Sequence, residues 1–139
     1  MYNYLEYFES SIFFHFLRTY RIKERLKKVY LNDIVFGNKN EGRKLENIVF
    51  IELKKTEEKI YYFKNKFECD FVVPSKRAIQ VVWELNEDNK KREINGLIEA
   101  MRYFRIKKGI IFTYNQEQEI KEDKYRIQVI PVWQWLLAE

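Results

Sequence analysis

Residues 67–85 constrain the fold of this chain more than any other stretch. Two runs rich in β-branched and aromatic residues flank a turn at residues 74–77, a pattern typical of a β-hairpin. Each run carries one polar side chain in otherwise apolar sequence, Asp70 in the first and Gln80 in the second. Because a buried carboxylate or amide without a partner is costly, we expect both groups to have partners. An acid beside an acid or amide on the neighbouring strand is an arrangement that holds a divalent cation.

Length and composition limit the classes of protein that this chain can belong to. Its 139 residues suit one domain, and 46% hydrophobic with 34% charged residues is typical of a globular protein. Four glycines and no glycine-rich loop exclude a P-loop nucleotide site. The single cysteine, Cys69, excludes an internal disulfide and fits a reducing cytoplasm. Lys and Arg exceed Asp and Glu by 26 to 21, which permits a polyanionic partner without demanding one.

Hydrophobic periodicity and turn signals predict an α/β chain. We expect helices at 1–10, 41–55, 86–106 and 133–137, strands at 12–17, 28–36, 59–64, 67–73, 78–85, 109–114 and 125–132, and a polar loop or short helix at 115–124. The predicted caps are Asn38 or Asn40 for the helix at 41–55, and Asn86 or Asp88 for the helix at 86–106. In the latter helix Gly96 suggests a close approach to another backbone, and Gly109 is the predicted stop signal after it. Long helices between apolar strands indicate a mixed sheet covered on both faces.

Three polar positions fall on successive elements of this pattern. Gly42-x-x-x-Glu46 lies on a predicted helix, Asp70 on a strand and Gln80-x-Val82 on the next strand. This order resembles the PD-(D/E)XK, or restriction-endonuclease-like, nuclease superfamily. Longer segments resemble the C-terminal domain of unknown function of many prokaryotic AAA-type ATPases. These segments are KKVYLNDIVF, GRKLENIVFIEL, ECDFVV, AIQVVWEL and VIPVWQWLL.

The resemblance covers nearly the whole chain and carries an expected architecture. It implies an α/β, restriction-endonuclease-like mixed β-sheet flanked by helices, with an N-terminal helix and hairpin extension. Residues 1–36 would form the joining segment and residues 37–139 the PD-(D/E)XK-like domain. The similar ATPases carry a P-loop domain first, so the resemblance implies that this chain is a fragment, a truncated gene product or a separately encoded module. An ATPase domain on another chain is then an expected partner.

The chemistry of the superfamily requires oxygen ligands on Mg²⁺ or Mn²⁺ and a lysine that orients the attacking water. By resemblance, Glu46 is the helix acid, Asp70 the central metal ligand and Gln80 the second acid, so these residues are the expected catalytic and metal-binding set. Val82 stands where the lysine is expected. A neutral amide is a poor ligand for a hard cation. The site therefore reads as degraded, with Mg or Mn at Asp70 as the only cofactor in question.

Three functions follow as alternatives. The missing lysine favours a pseudo-nuclease, a non-enzymatic module for nucleic-acid binding, assembly or both within a cytoplasmic ATPase system. A divergent metal-dependent nuclease is the second, with Glu84 as an extra ligand and Lys76 or Arg77 in place of the lysine. The third is a protein-interaction module, including a homodimer, built on exposed aromatic residues. Those aromatic residues are Tyr2, Tyr4, Phe8, Trp133 and Trp135.

Basic side chains suited to backbone phosphates lie in two runs and in the hairpin turn. They are Arg18, Arg21, Lys23, Lys27, Lys28, Lys76, Arg77, Lys90, Lys91 and Arg92. Contacts of this kind position a protein on nucleic acid without reading its sequence. Ordinary solvated surface is the competing interpretation for the same residues.

Overall fold

The computed structural model describes residues 14–18, 27–31 and 40–138. Strands β1 (Phe14–Arg18) and β2 (Lys27–Leu31) pair antiparallel, in line with two of the predicted strands. The predicted N-terminal helix, most of the polar turn between these strands and the proposed boundary after residue 36 lie outside the described residues. In the described residues, no helix is long and apolar enough to cross a membrane.

Residues 40–138 form a mixed sheet with flanking helices, which confirms the predicted α/β class. The elements are α1 (Glu41–Thr56), β3 (Tyr61–Lys64), β4 (Glu68–Val73), β5 (Arg77–Val81), α2 (Lys90–Phe104), β6 (Lys108–Thr113), β7 (Gln118–Glu122), β8 (Tyr125–Pro131) and α3 (Val132–Leu137). The six strands lie in the order β3-β4-β5-β6-β8-β7. The pairs β5–β6 and β6–β8 are parallel, and the other pairs are antiparallel.

Helix α1 and the short helix α3 cover one face of the sheet. The Asn40 side chain caps α1 by accepting from the Arg43 backbone N–H at 3.3 Å, as predicted. The apolar stripe of α1 packs on alternate residues of β4, β5 and β6, and the rings of Phe50 and Phe71 stack at 5.9 Å. Burial of this stripe, rather than helix propensity, supplies most of the stability of a helix of this length.

Helix α2 covers the opposite face, with Leu97 and Met101 fully buried on the sheet. Gly96 confirms the predicted close approach, because a Cβ at this position would lie 2.0 Å from the Glu68 carbonyl oxygen of β4. No other residue type fits there without moving one of the two backbones. The helix and the strand are therefore held together at backbone contact distance.

Two signals for the ends of α2 were assigned to the wrong residues. Asn89 is the N-cap, whereas Asn86 accepts from the backbone N–H groups of Asp88 and Asn89 in the preceding turn. Arg105, with φ of 57°, makes the left-handed turn that ends α2. Gly109 lies inside β6, where a Cβ would meet α2 side chains at 2.7 Å and 2.9 Å. The absence of a side chain at Gly109 allows α2 to pack closely on the sheet, and Gly109 does not terminate the helix.

The prediction of a loop or short helix at 115–124 was wrong, because that segment contains the edge strand β7. It pairs antiparallel with β8, and four of its five residues are exposed. Charged and polar side chains on an exposed edge strand prevent pairing with other chains, and they also hide the strand from hydrophobic periodicity. Pairing with β8, a non-local contact, makes this segment a strand.

One irregularity in the sheet positions Asp70. Tyr61 pairs with Val72 and Phe63 with Cys69, so β4 carries one extra residue in this stretch. Such a bulge bends the strand and redirects the side chains beside it. The bulge lies where β4 and β5 stop pairing regularly, and Asp70 occupies it.

Candidate functional site

Asp70 and Gln80 join β4 to β5 beyond the last regular strand pair. Backbone pairing between the two strands runs as far as Phe71 and Ile79. The Asp70 N–H then donates to Gln80 Oε1 at 2.8 Å, and the Val81 N–H donates to Asp70 Oδ2 at 2.8 Å. The two side chains thus take over hydrogen bonds that backbone groups make elsewhere in a sheet.

The Gln80 amide also ties the hairpin to α2. Its Nε2 donates to the Glu68 carbonyl oxygen at 2.8 Å and to the Glu93 carbonyl oxygen at 3.4 Å. The residue is 3% exposed, and the Cβ position of Gly96 lies 2.9 Å from Nε2. The expectation that Asp70 and Gln80 have partners is confirmed. Backbone atoms of β4, β5 and α2 are among those partners, and we call this arrangement the Asp70–Gln80 joint.

Glu46 lies on α1, the helix that packs on the sheet face opposite α2. It is a buried residue of α1, 7% exposed, with the Arg43 guanidinium 3.6 Å away. Helix α1 packs on the face that carries Ile79, whereas the Gln80 side chain reaches α2 on the opposite face. In residues 40–138, no three His, Cys, Asp or Glu side chains are grouped so that they could hold a metal ion. A cation at Asp70 stays a prediction.

The positions beyond Gln80 provide no direct substitute for the lysine. Val82 is half-buried against the α2 side of the core, and its N–H donates to the Phe112 carbonyl oxygen at 3.0 Å. Strand β5 ends at Val81, so the predicted strand at 78–85 was too long, and Glu84 lies beyond the end of the strand. Glu84 is exposed, and its carbonyl oxygen accepts from the Asn89 side chain.

A polar cavity of about 440 Å³ opens beside the joint. Its walls carry three cations and three carboxylates in addition to the Gln80 amide. These charged residues are Lys64, Lys66, Arg92, Glu68, Asp70 and Glu93. Two of the cations already have acidic neighbours, because Lys64 lies 3.3 Å from Glu68 and Arg92 lies 2.8 Å from Glu93. Sequence reasoning missed Lys64 and Lys66 because they belong to the end of β3 and the turn after it, outside the hairpin motif.

The two cations of the hairpin turn are held by a carboxylate that sequence reasoning also missed. Glu57, which ends α1, accepts from Lys76 Nζ at 2.6 Å and from Arg77 Nη2 at 3.1 Å. Chiefly through the bond from Lys76, and against its own burial, these cations lower the pKa of Glu57 below its ordinary value of 4.5. Lys76 and Arg77 therefore link the hairpin to α1, which reduces their availability for phosphates.

The remaining predicted phosphate contacts are spread over the molecule. On α2, Lys91 is exposed and Lys90 half-buried. Arg18 pairs with Lys27, and Leu17 with Lys28, in the β1–β2 hairpin. Arg21 and Lys23 lie outside the described residues.

Of the aromatic residues proposed as interaction surface, Trp133 is 51% exposed, whereas Trp135 packs on Phe112 with ring centroids 4.6 Å apart. The sequence did not indicate one exposed aromatic pair. The rings of Trp83 and Tyr114 stack with their centroids 4.3 Å apart. Tyr2, Tyr4 and Phe8 lie outside the described residues.

Comparison with known proteins found similarity to an archaeal sequence. The chain is 34% identical over 159 aligned residues to uncharacterized protein MJ1544 of Methanocaldococcus jannaschii. The alignment covers 99% of this chain and 36% of the relative, so the chain spans about a third of that protein's length. No family model matches the chain. No solved structure matches it.

Proposed function

We propose that this chain is a non-catalytic module on a restriction-endonuclease-like scaffold, and that it binds nucleic acid as part of a larger ATPase assembly. The observation that carries the proposal is the Asp70–Gln80 joint. Asp70 and Gln80 were expected to hold a cation. Instead, their side-chain oxygen and nitrogen atoms form hydrogen bonds with backbone groups of β4, β5 and α2. Val82 has no charged group that could orient an attacking water.

The binding part of the proposal is supported by charge. The chain carries a net charge of +5, and the phosphate backbone is the polyanion that such a surface attracts without reading sequence. The resemblance to ATPase-associated domains supports the assembly part. The relative, about three times as long as the aligned region, is consistent with a module of a larger protein.

Binding is tested with the purified chain and fluorescein-labelled duplex, branched and single-stranded DNA. We expect affinity to fall steeply as salt rises from about 50 to 200 mM, since phosphate contacts release counterions. Binding no tighter than that of a neutral protein of similar size would overturn the nucleic-acid part of the proposal.

The structural role of Gln80 is tested by restoring the superfamily pattern. Gln80→Glu combined with Val82→Lys supplies both the acid and the lysine. In the structure, a carboxylate at position 80 cannot donate to the Glu68 and Glu93 carbonyl oxygens, so we expect a lower melting temperature and no Mn²⁺-dependent cleavage. Val82→Lys alone is the matched control. Appearance of cleavage in the double variant would show instead that the site is a nuclease centre lacking two groups.

A divergent Mg²⁺- or Mn²⁺-dependent nuclease is the second candidate, and the cavity beside Asp70 favours it. Lys64, Lys66 and Arg92 border the same space as Asp70, so a cation from another element stands near the position that lacks the lysine. Incubation with DNA and RNA in either metal tests this reading. Activity that is abolished by Asp70→Ala would support it, and activity that survives that substitution would indicate a contaminant.

A further inference from the structure

A second cavity lies far along the chain from the hairpin, where α2 ends and β8 begins. It has a volume of about 690 Å³, and four cations line it without a carboxylate among its walls. We call these residues, Arg102, Arg105, Lys107 and Lys124, the basic groove. Met101, Ile106 and Tyr125 are the buried residues beneath it. The Lys124 ammonium lies 5.5 Å from the Tyr125 ring centroid, which places this cation over the apolar floor.

The cations of the groove differ in their partners from most of the cations in the hairpin turn and around the cavity beside Asp70, of which only Lys66 has no ion pair within residues 40–138. Lys64, Lys76, Arg77 and Arg92 each form an ion pair. Within residues 40–138, no carboxylate lies at ion-pairing distance from any of the four groove cations, all of which are exposed. Their charge is therefore available to a ligand.

A row of three more cations lies at the same end of the sheet, on the opposite face, which α1 and α3 cover. Arg126 of β8 is in register with Lys108 of β6 on one side and with Lys121 of β7 on the other. All three are exposed, and like charges directly opposite each other destabilise a sheet. The negative end of α2 favours nearby cations such as Arg102. The dipole of α2 does not account for cations on three strands. Binding of a partner explains their grouping better than the stability of the fold does.

We propose that the basic groove and the row formed by Lys108, Lys121 and Arg126 together bind the phosphate backbone of a nucleic acid. The proposal deepens the proposed function by naming its binding surface, and it rests on that function. Phosphates enter the groove between Arg102, Lys107 and Lys124. The nucleic-acid strand then continues around the end of the sheet to the row. None of the exposed large aromatic residues lines the groove, so recognition is by phosphate charge and is independent of sequence.

An anionic membrane is the competing partner for such a surface. Membrane-surface binding combines basic residues with exposed apolar side chains that enter the lipid. At the groove the apolar side chains are the buried floor and the cations form the rim, a concave arrangement that admits a phosphate and not a flat bilayer. The observations therefore favour nucleic acid.

Three triple variants of the full chain test the surface, each with a net charge lowered by three. The groove triple is Arg102→Gln, Lys107→Gln and Lys124→Gln. The row triple is Lys108→Gln, Lys121→Gln and Arg126→Gln. The control triple is Lys54→Gln, Lys55→Gln and Lys59→Gln, which removes exposed cations at and beyond the end of the other long helix, α1. Arg105 is left in place because of its positive φ.

Binding to labelled duplex DNA is followed by anisotropy across salt concentrations, with circular dichroism to verify folding. We expect the groove triple to bind at least about tenfold more weakly and to lose about 2 to 3 units of the slope of log affinity against log salt. The row triple should lose about 1 to 2 units, and the control triple less than about 1.

Equal losses in all three variants would show that net charge alone drives binding, and would overturn the surface while leaving the proposed function standing. No binding by the unmodified chain would overturn both. A parallel arm uses vesicles of phosphatidylcholine with and without phosphatidylserine. Binding to the anionic vesicles that depends on the groove cations, in the absence of DNA binding, would reassign the surface to a membrane.

Discussion

Two charged regions of this molecule, the hairpin and the basic groove, differ in how their polar groups are used. At the hairpin, Asp70 and Gln80 bond backbone groups, and Glu57 holds both Lys76 and Arg77. Where α2 ends and β8 begins, the groove cations face solvent without an ion pair within residues 40–138. The hairpin residues that look functional in the sequence bond other parts of the fold, whereas the groove cations are available to a partner.

The difference shows that polarity within apolar sequence marks a buried group and its need for a partner, not the identity of that partner. A carboxylate in a strand can hold a metal, or it can replace missing ladder hydrogen bonds. Only the second use is visible at Asp70. Exposed cations that are grouped without an ion pair, by contrast, form a positive surface that attracts a polyanion.

The largest effect on stability is expected when the Asp70–Gln80 joint is opened through its closest contact. Gly96→Ala places a Cβ 2.0 Å from the Glu68 carbonyl oxygen and 2.9 Å from Gln80 Nε2. We expect the free energy of unfolding to fall by about 3 kcal/mol, because two backbones must separate. Urea unfolding measures it. Gly42→Ala on α1 is the control, since there the new Cβ meets only the tip of the Asn40 side chain at 3.2 Å.

A smaller effect is expected when the hairpin turn is detached from α1. Glu57→Gln removes the charge that holds Lys76 and Arg77, and we expect a loss of about 1 to 2 kcal/mol near neutral pH. The pKa of Glu57 is lowered in the folded state, so its contribution is present above the ordinary value of 4.5 and is lost as pH falls through the lowered pKa.

Thermal unfolding at about pH 7 and about pH 3 checks both parts of this prediction. The gap between the parent chain and Glu57→Gln should narrow at the lower pH. Glu58→Gln, at the exposed neighbouring position, should leave stability nearly unchanged at both. A gap that is independent of pH would mean that the ion pairs contribute little.

The smallest effect has the opposite sign. Arg126→Gln removes the middle cation of the row, so stability should rise by about 0.5 kcal/mol as repulsion from Lys108 and Lys121 is relieved. The same substitution should weaken DNA binding. Lys59→Gln removes one charge outside the row and should leave both quantities nearly unchanged. Loss of stability in Arg126→Gln would show that this cation serves the fold.

Much of the fold was accessible from local pattern. The apolar stripes of α1 and α2 predicted both helices, and Gly96 correctly indicated a close backbone approach. Strand β7 was missed because an exposed edge strand lacks the apolar alternation on which strand prediction depends. Arg105 was missed as the end of α2 because arginine rarely adopts a positive φ.

The candidate site was less predictable. The need of Asp70 and Gln80 for partners followed from the sequence, but the bulge in β4 that brings them together depends on pairing with β3. Glu57 precedes Lys76 by nineteen positions, and it meets that residue only because α1 ends beside the hairpin turn. Sequence similarity suggested a shared crevice for Glu46 and Gln80, whereas the structure puts α1 and α2 on opposite faces.

Sequence alone determined where this chain forms helices and most of its strands, because apolar periodicity is local and a helix or strand must bury one side. Tertiary structure decided how each charge is used. Strand order brings together residues that are far apart in the chain, so it places Lys76 and Arg77 against Glu57 and groups the groove cations where α2 ends and β8 begins. Electrostatic energy depends on distance in space, and sequence separation does not report that distance.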